Sequence, residues 1–197
     1  MPYYNFSSIR VPTLKEEFEG AQKDFIVELL RAERQNYKEL IGALRGLVLP
    51  HLMQSDSTSQ SIADVTKAQL VTFDTDVHHS EITRTSSSRF TIALQASYLI
   101  AISVICDTAV ANKQIEIWLR VNGVDVANSN TIIKMPGSAE TTLAVTFIQY
   151  FNAGDYFEFW MNGDNTACQI KATAAGTTPT RPACPSIIMT CSYTGLD

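Results

Sequence analysis

One phrase near the middle of the chain limits its folding choices more than any other. Ile115, Ile117, Leu119 and Val121 alternate with Glu116, Trp118 and Arg120, and Asn122-Gly123 follows at once. A period of two sends successive side chains to opposite faces of a strand. Asn-Gly is a strong hairpin signal because both central residues of a tight two-residue turn need positive φ. This segment must therefore pair with a neighbouring strand and bury one of its faces.

The same period recurs along the last two-thirds of the chain. It runs through Phe90, Ile92 and Leu94, through Tyr98, Ile100, Ile102 and Val104, and through Leu143, Val145 and Phe147 up to Phe151. Phe157, Phe159 and Met161 continue it, as do Ile187, Met189, Cys191 and Tyr193. Asn152-Ala-Gly-Asp155 and Asn162-Gly163-Asp164 have turn composition. Many short strands without helices between them predict a mainly β fold over residues 66–197, an antiparallel jelly-roll sandwich.

Three zones precede it. Residues 1–12 hold Tyr3, Tyr4, Phe6 and Ile9 without a period and are expected to be an extended arm. Residues 13–49 read as one long α-helix. Thr13 and Glu16 can form a capping box, and Glu16, Glu17 and Glu19 suit the positive helix start. Pro50 closes the span. A helix over 14–45 would be about 48 Å long. Its two apolar stripes, Phe18, Phe25, Leu29, Leu40, Leu44, Leu47 and Ile26, Leu30, Tyr37, Ile41, Val48, make a face too wide for a simple surface helix. Residues 50–65 are rich in Ser and poor in apolar residues, and are expected to be a linker.

Composition narrows the function. A net charge of −5 and 15 scattered basic residues give no phosphate-tracking stripe, so nucleic-acid binding is not expected. No apolar run reaches the roughly 18 residues that cross a bilayer, and the start Met-Pro-Tyr-Tyr-Asn-Phe does not read as a secretory signal. Membrane association is not expected. Cys106, Cys168, Cys184 and Cys191 form no Cys-x-x-Cys pair, and reduced packing thiols are expected. The three histidines are His51 and the adjacent His78 and His79, which a strand would point to opposite faces. Asp74 and Asp76 read as a solvated edge, because no Gly-bearing ligand loop accompanies them. Asp155 and Glu158 do not share a strand face. No nucleophile motif, phosphate loop or His-Glu-x-x-His occurs. The chain is read as a non-enzyme with no cofactor and no metal site.

Several phrases resemble a group of tailed-phage virion structural proteins. In that group a strand like Trp118-Leu-Arg120 is followed by Asn122-Gly123 and by Asn128-Ser-Asn-Thr131. A strand like Gly154-Asp-Tyr-Phe-Glu158 and a final Pro185-Ser-Ile-Ile188 complete the likeness. The order of elements also resembles the jelly roll of tumour-necrosis-factor-like cytokines and complement globular heads. Ala96-Ser-Tyr98 to Ile102 stands where that superfamily has Gly-x-Tyr-x-Phe, with Ala96 for the Gly and Ile102 for the Phe.

The resemblance implies a homotrimer with aromatic and aliphatic side chains around its axis. Trp118, Ile148, Tyr150, Tyr156, Trp160 and Ile188 fall opposite the core-facing set. The subunit interface is expected at Tyr98, Trp118, Tyr150, Tyr156 and Trp160. Attachment is expected through the arm (Tyr3, Tyr4, Phe6) and the helix (Phe18, Phe25, Leu29). These expectations describe a capsid decoration, cement or head-fibre protein, assembled in the host cytoplasm into the virion and contacting other virion proteins such as the major capsid protein. The alternative is the receptor- or glycan-binding tip of a tail fibre, with the loop Ala172–Thr180 against a host-surface glycan.

Overall fold

The computed structural model describes residues 20–45, 49–137 and 140–195. The chain divides into two compact units, Met1–Val48 and Leu49–Asp197. In the first, α1 spans Gly20–Arg45. Ala, Leu, Glu, Lys and Arg dominate it, the residues that lose least on entering a helix. Phe25 and Leu29, one turn apart on the same side, are 69% and 51% exposed. The arm over 1–12 and the capping box at Thr13 and Glu16 lie outside the described residues.

The second unit is all β. In chain order its strands are β1 (His51–Asp56), β2 (Gln60–Ser61), β3 (Gln69–Leu70), β4 (Thr75–Ser80), β5 (Ile82–Arg84), β6 (Phe90–Ile92), β7 (Ala96–Thr108) and β8 (Lys113–Val121). They continue with β9 (Val124–Asp125), β10 (Thr131–Met135), β11 (Thr141–Phe151), β12 (Tyr156–Gly163), β13 (Cys168–Ile170), β14 (Gly176–Thr177), β15 (Thr180–Arg181) and β16 (Ile187–Gly195). All pairings are antiparallel. The first sheet runs β2-β13-β7-β16-β1-β4, with β11 on the free side of β7. The second runs β10-β8-β12-β6-β5, with β3 added to β12 and β9 to β8. Neighbours distant in sequence, such as β1 with β16 and β8 with β12, give the antiparallel jelly-roll sandwich.

The core between the sheets is aromatic. Phe90 stacks near Phe73 and Phe157, with ring centroids 5.1 and 5.3 Å apart, and Phe151 bridges Phe157 and Tyr98 at 5.5 and 5.9 Å. Ile100, Ile102, Val104, Ile115, Ile117, Met161, Ile187 and Met189 fill the space around them. Each such side chain contributes about 1.5–3 kcal/mol when fully buried. The Asn122-Gly123 turn forms as the sequence predicts, with φ of 50° and 80°, between β8 and β9.

The expected linker over 50–65 is corrected: its first part is a strand inside the sheet. β1 pairs with β16 along its whole length and with β4 on its other side. Its inward positions are Leu52, Gln54 and Asp56, all buried. Two of the three are polar, so no apolar period shows in the sequence. Gln54 Nε2 donates to Asp76 Oδ1 at 2.8 Å. Asp56 accepts from the Thr58 backbone N–H at 2.8 Å and from the hydroxyls of Thr58 and Thr72 at 2.6 and 3.1 Å. Burial of Asp56 is tolerated because its bonds are made in this way, whereas Gln54 is held through Nε2 alone, its buried Oε1 meeting no donor among the described residues. The β unit therefore begins at Leu49, not at residue 66.

Candidate functional site

The two outward faces of the sandwich differ in chemistry. On the first sheet, the register places side chains in rows across four strands. One row is His51, Ser192, Leu99 and Ile148; the next is Met53, Thr190, Ala101 and Thr146; a third is Ser55, Ile188, Ser103 and Ala144. No Asp, Glu, Lys or Arg stands in these rows. Ile148 is 72% exposed, and Leu99, Met53 and Tyr150 are also exposed. Between the rows lies a shallow depression of about 370 Å³, lined in part by Ala101, Ser103, Ala144, Thr146, Ile188 and Thr190. A face of small hydroxyls and aliphatics carries no charge that would oppose its removal from water.

The adjoining edge has the same character. β11 pairs only with β7 among the described residues. Its sequence, Thr-Thr-Leu-Ala-Val-Thr-Phe-Ile-Gln-Tyr-Phe, contains no charge and no proline. Exposed edges are ordinarily blunted by Lys, Pro or a bulge, because unpaired N–H and C=O groups template further pairing.

The outward face of the second sheet is charged and clasped. Trp118 stands opposite Trp160, and Arg120 opposite Glu158. The Arg120 guanidinium covers the Trp160 ring at 4.1 Å, and that of Arg89 covers Tyr156 at 3.9 Å. Such cation–π contacts hold both partners in place. Asp125 Oδ1 accepts from Arg120 Nε at 2.7 Å and from Trp118 Nε1 at 2.8 Å. The bond from Arg120, then that from Trp118, holds the Asp125 carboxyl below its ordinary range, and Asp125 in turn raises Arg120. Arg89 Nε donates to the buried Glu158 at 3.0 Å. Beside Trp118 lies a second depression, about 240 Å³, lined by Glu116, Trp118, Asp125, Val126, Asn128 and Asn130.

The residues expected at a subunit interface do not form one patch. Tyr98 is corrected outright: it is 0% exposed in the core, and its hydroxyl donates to the Leu94 carbonyl at 2.8 Å. The cause is its phase, since β7 turns Tyr98, Ile100 and Ile102 inward together. Trp118, Tyr156 and Trp160 lie on the arginine-bearing second sheet, whereas Tyr150 belongs to the first one. The expected attachment residues Phe25 and Leu29 are exposed on α1. Tyr3, Tyr4, Phe6 and Phe18 lie outside the described residues. Leu99, Ala101, Thr146 and Thr190 escaped sequence reasoning because rows of small residues appear only once register is known. The Ala172–Thr180 loop enters a small hairpin, with β14 paired to β15 and Thr173 bridged to Cys184.

The histidines sit at the β1–β4 edge. The rings of His51 and His78 are 4.6 Å apart, and His79 Nδ1 lies 2.8 Å from Asp76 Oδ2. Among the described residues no group of three or more His, Cys, Asp or Glu side chains is arranged to hold a metal ion, and no helix is long and apolar enough to cross a membrane. Three of the four thiols are buried. Burial pushes Cys106 and Cys191 up to about 12 and raises Cys168.

No family model matches the sequence, and neither does any curated protein. Solved structures similar in shape include the globular domain of zebrafish complement 1qA, at 8% identity and a TM-score of 0.48, with 75% of this chain and 99% of that one covered. Murine APRIL at pH 5.0 is similar at 10% identity and a TM-score of 0.49, covering 74% of this chain and all of that one.

Proposed function

We propose that the chain is a virion structural protein, a capsid decoration or head-fibre component, that forms a homotrimer through the outward face of its first sheet. The observation that carries this reading is the set of three rows across β1, β16, β7 and β11 that hold no Asp, Glu, Lys or Arg, continuous with the β11 edge, which is unpaired among the described residues. Covering both removes Ile148, Leu99 and Tyr150 from water and leaves no ion unpaired. A closed three-fold arrangement repeats one head-to-tail contact between two different patches of neighbouring copies and leaves no free edge to propagate. The phrases that resemble those of tailed-phage virion proteins motivate the virion setting. In this reading the protein performs no catalysis and resides in the particle after assembly in the host cytoplasm.

Attachment falls to the arm and helix. Tyr3, Tyr4, Phe6, Phe18, Phe25 and Leu29 would bury apolar area on the major capsid protein or another shell component. Three linked copies of a modest contact multiply into tight binding.

The test is the mass in solution. Three copies of the 21.8 kDa chain should run at about 65 kDa. Ile148→Lys, harmless on a solvated surface, should reduce the mass to that of one chain while the β signal in circular dichroism is unchanged. A wild-type monomer would overturn the reading. Deleting residues 2–12 should release the protein from particles and leave the trimer intact; full occupancy after the deletion would overturn the attachment role.

A further inference from the structure

We infer that the depression beside Trp118 is a binding site for a neutral sugar ring. Three aromatic rings stand on the outward face of the second sheet, and two are capped: Tyr156 by Arg89 and Trp160 by Arg120. Trp118 has no cation over it among the described residues. Its indole N–H is fixed by Asp125 Oδ1 at 2.8 Å, so the ring is held in one orientation at the edge of the depression. A pyranose has an apolar C–H face that packs on such a ring and a girdle of hydroxyls that both donate and accept.

The polar lining matches that girdle. Asp125 spends Oδ1 on Arg120 and Trp118, and its Oδ2 has no donor among the described residues. Glu116 spends Oε2 on Asn130 Nδ2 at 2.9 Å, and its Oε1 is likewise open. Both oxygens accept from sugar hydroxyls. The Asn128 amide, on a backbone with φ of 63°, and the Asn130 carbonyl oxygen complete a mixed donor and acceptor set. Two carboxylates without an unpaired cation disfavour an acidic sugar or a phosphate. The volume, about 240 Å³, is below the roughly 300 Å³ typical of drug-sized ligands and suits a single ring. Val126 supplies an apolar contact at the rim.

This site is on the opposite side of the sandwich from the proposed trimer face and does not depend on it. Were the trimer to form, each subunit would keep its own site, and weak single-ring affinities would combine on a glycan-coated surface.

The experiment is ligand-observed saturation-transfer NMR on the full chain. The probes are the methyl glycosides of glucose, galactose, mannose and N-acetylglucosamine at millimolar concentration, with a chelator present throughout. At least one probe should receive saturation from the wild type, with the strongest transfer at its ring C–H protons. Trp118→Ala should abolish the transfer. Asn128→Gly keeps the backbone that φ of 63° requires and removes only the amide, so it guards against misfolding of the Trp118 variant. Asn128→Gly and Glu116→Gln should each weaken binding about tenfold, with circular dichroism and solution mass unchanged. No transfer from any of the four probes, or equal transfer in folded Asn128→Gly and Glu116→Gln, would overturn the assignment. Neither result alters the mass in solution, so this proposal and the trimer reading fail separately.

Discussion

At Gly163 the packing admits no side chain. A Cβ there would stand 2.9 Å from Ile62 Cγ1, 3.2 Å from the Gln114 carbonyl oxygen and 3.3 Å from Cys168 Cβ. Gly163→Ala should therefore cost about 1–3 kcal/mol of stability, read as a lower urea midpoint at unchanged slope. The thiols make a second residue-scale prediction. Cys184 is exposed, whereas Cys106, Cys168 and Cys191 are buried in the core. A thiol reagent at neutral pH should consume one equivalent per chain quickly, and the remaining three only with unfolding. A third concerns Asp125. Its folded pKa is lowered, so the stabilisation from Arg120 and Trp118 is present above the ordinary carboxylate range and is lost as pH falls through the lowered value. The Trp118 indole N–H resonance should shift below about pH 4 and hold steady from there to neutrality. Asp125→Asn should remove that transition.

The element scale turns on β1. Because this strand lies between β16 and β4, a fragment starting at Leu49 should fold with an unchanged melting temperature for the β unit. One starting at residue 66 loses β1 and β2 and should be insoluble or unfolded; soluble folding of that fragment would contradict the sheet order. β8, β12 and β16 were legible in the sequence because their inward positions are apolar and their partners impose a simple period. β1 was not, because Gln54 and Asp56 face inward and are held by Asp76, Thr58 and Thr72, residues up to 22 positions away. β2 and β3 are only two residues long. There Gln60 imitates a strand, accepting from the Thr72 N–H at 2.8 Å and donating to its carbonyl at 3.0 Å. Period detection cannot find pairing carried by a side chain. Tyr98 shows the converse: aromatic content suggested an interface, while phase along β7 assigned it to the core.

At the scale of the whole molecule, the sandwich separates two kinds of surface. The first sheet presents hydroxyls and aliphatics in register, and the second presents arginines laid over aromatic rings. Sequence exposed the aromatics of both without telling them apart, since Trp118 and Tyr150 look alike until sheet membership is known. The distinction predicts opposite responses to salt. Self-association through the rows of β1, β16, β7 and β11 should be nearly insensitive between low and high ionic strength, because no Asp, Glu, Lys or Arg stands in them. Any association through the arginine-bearing second sheet should weaken as salt rises. Sedimentation at two salt concentrations distinguishes them.

The margin of β11, unpaired among the described residues, would also set a timetable for the newborn chain. In the proposed trimer, a strand able to accept another extended segment would leave each solitary subunit open to wrong pairing until its sisters arrive. Safety then comes from crowding of the right kind: many identical copies made together, meeting each other sooner than anything else.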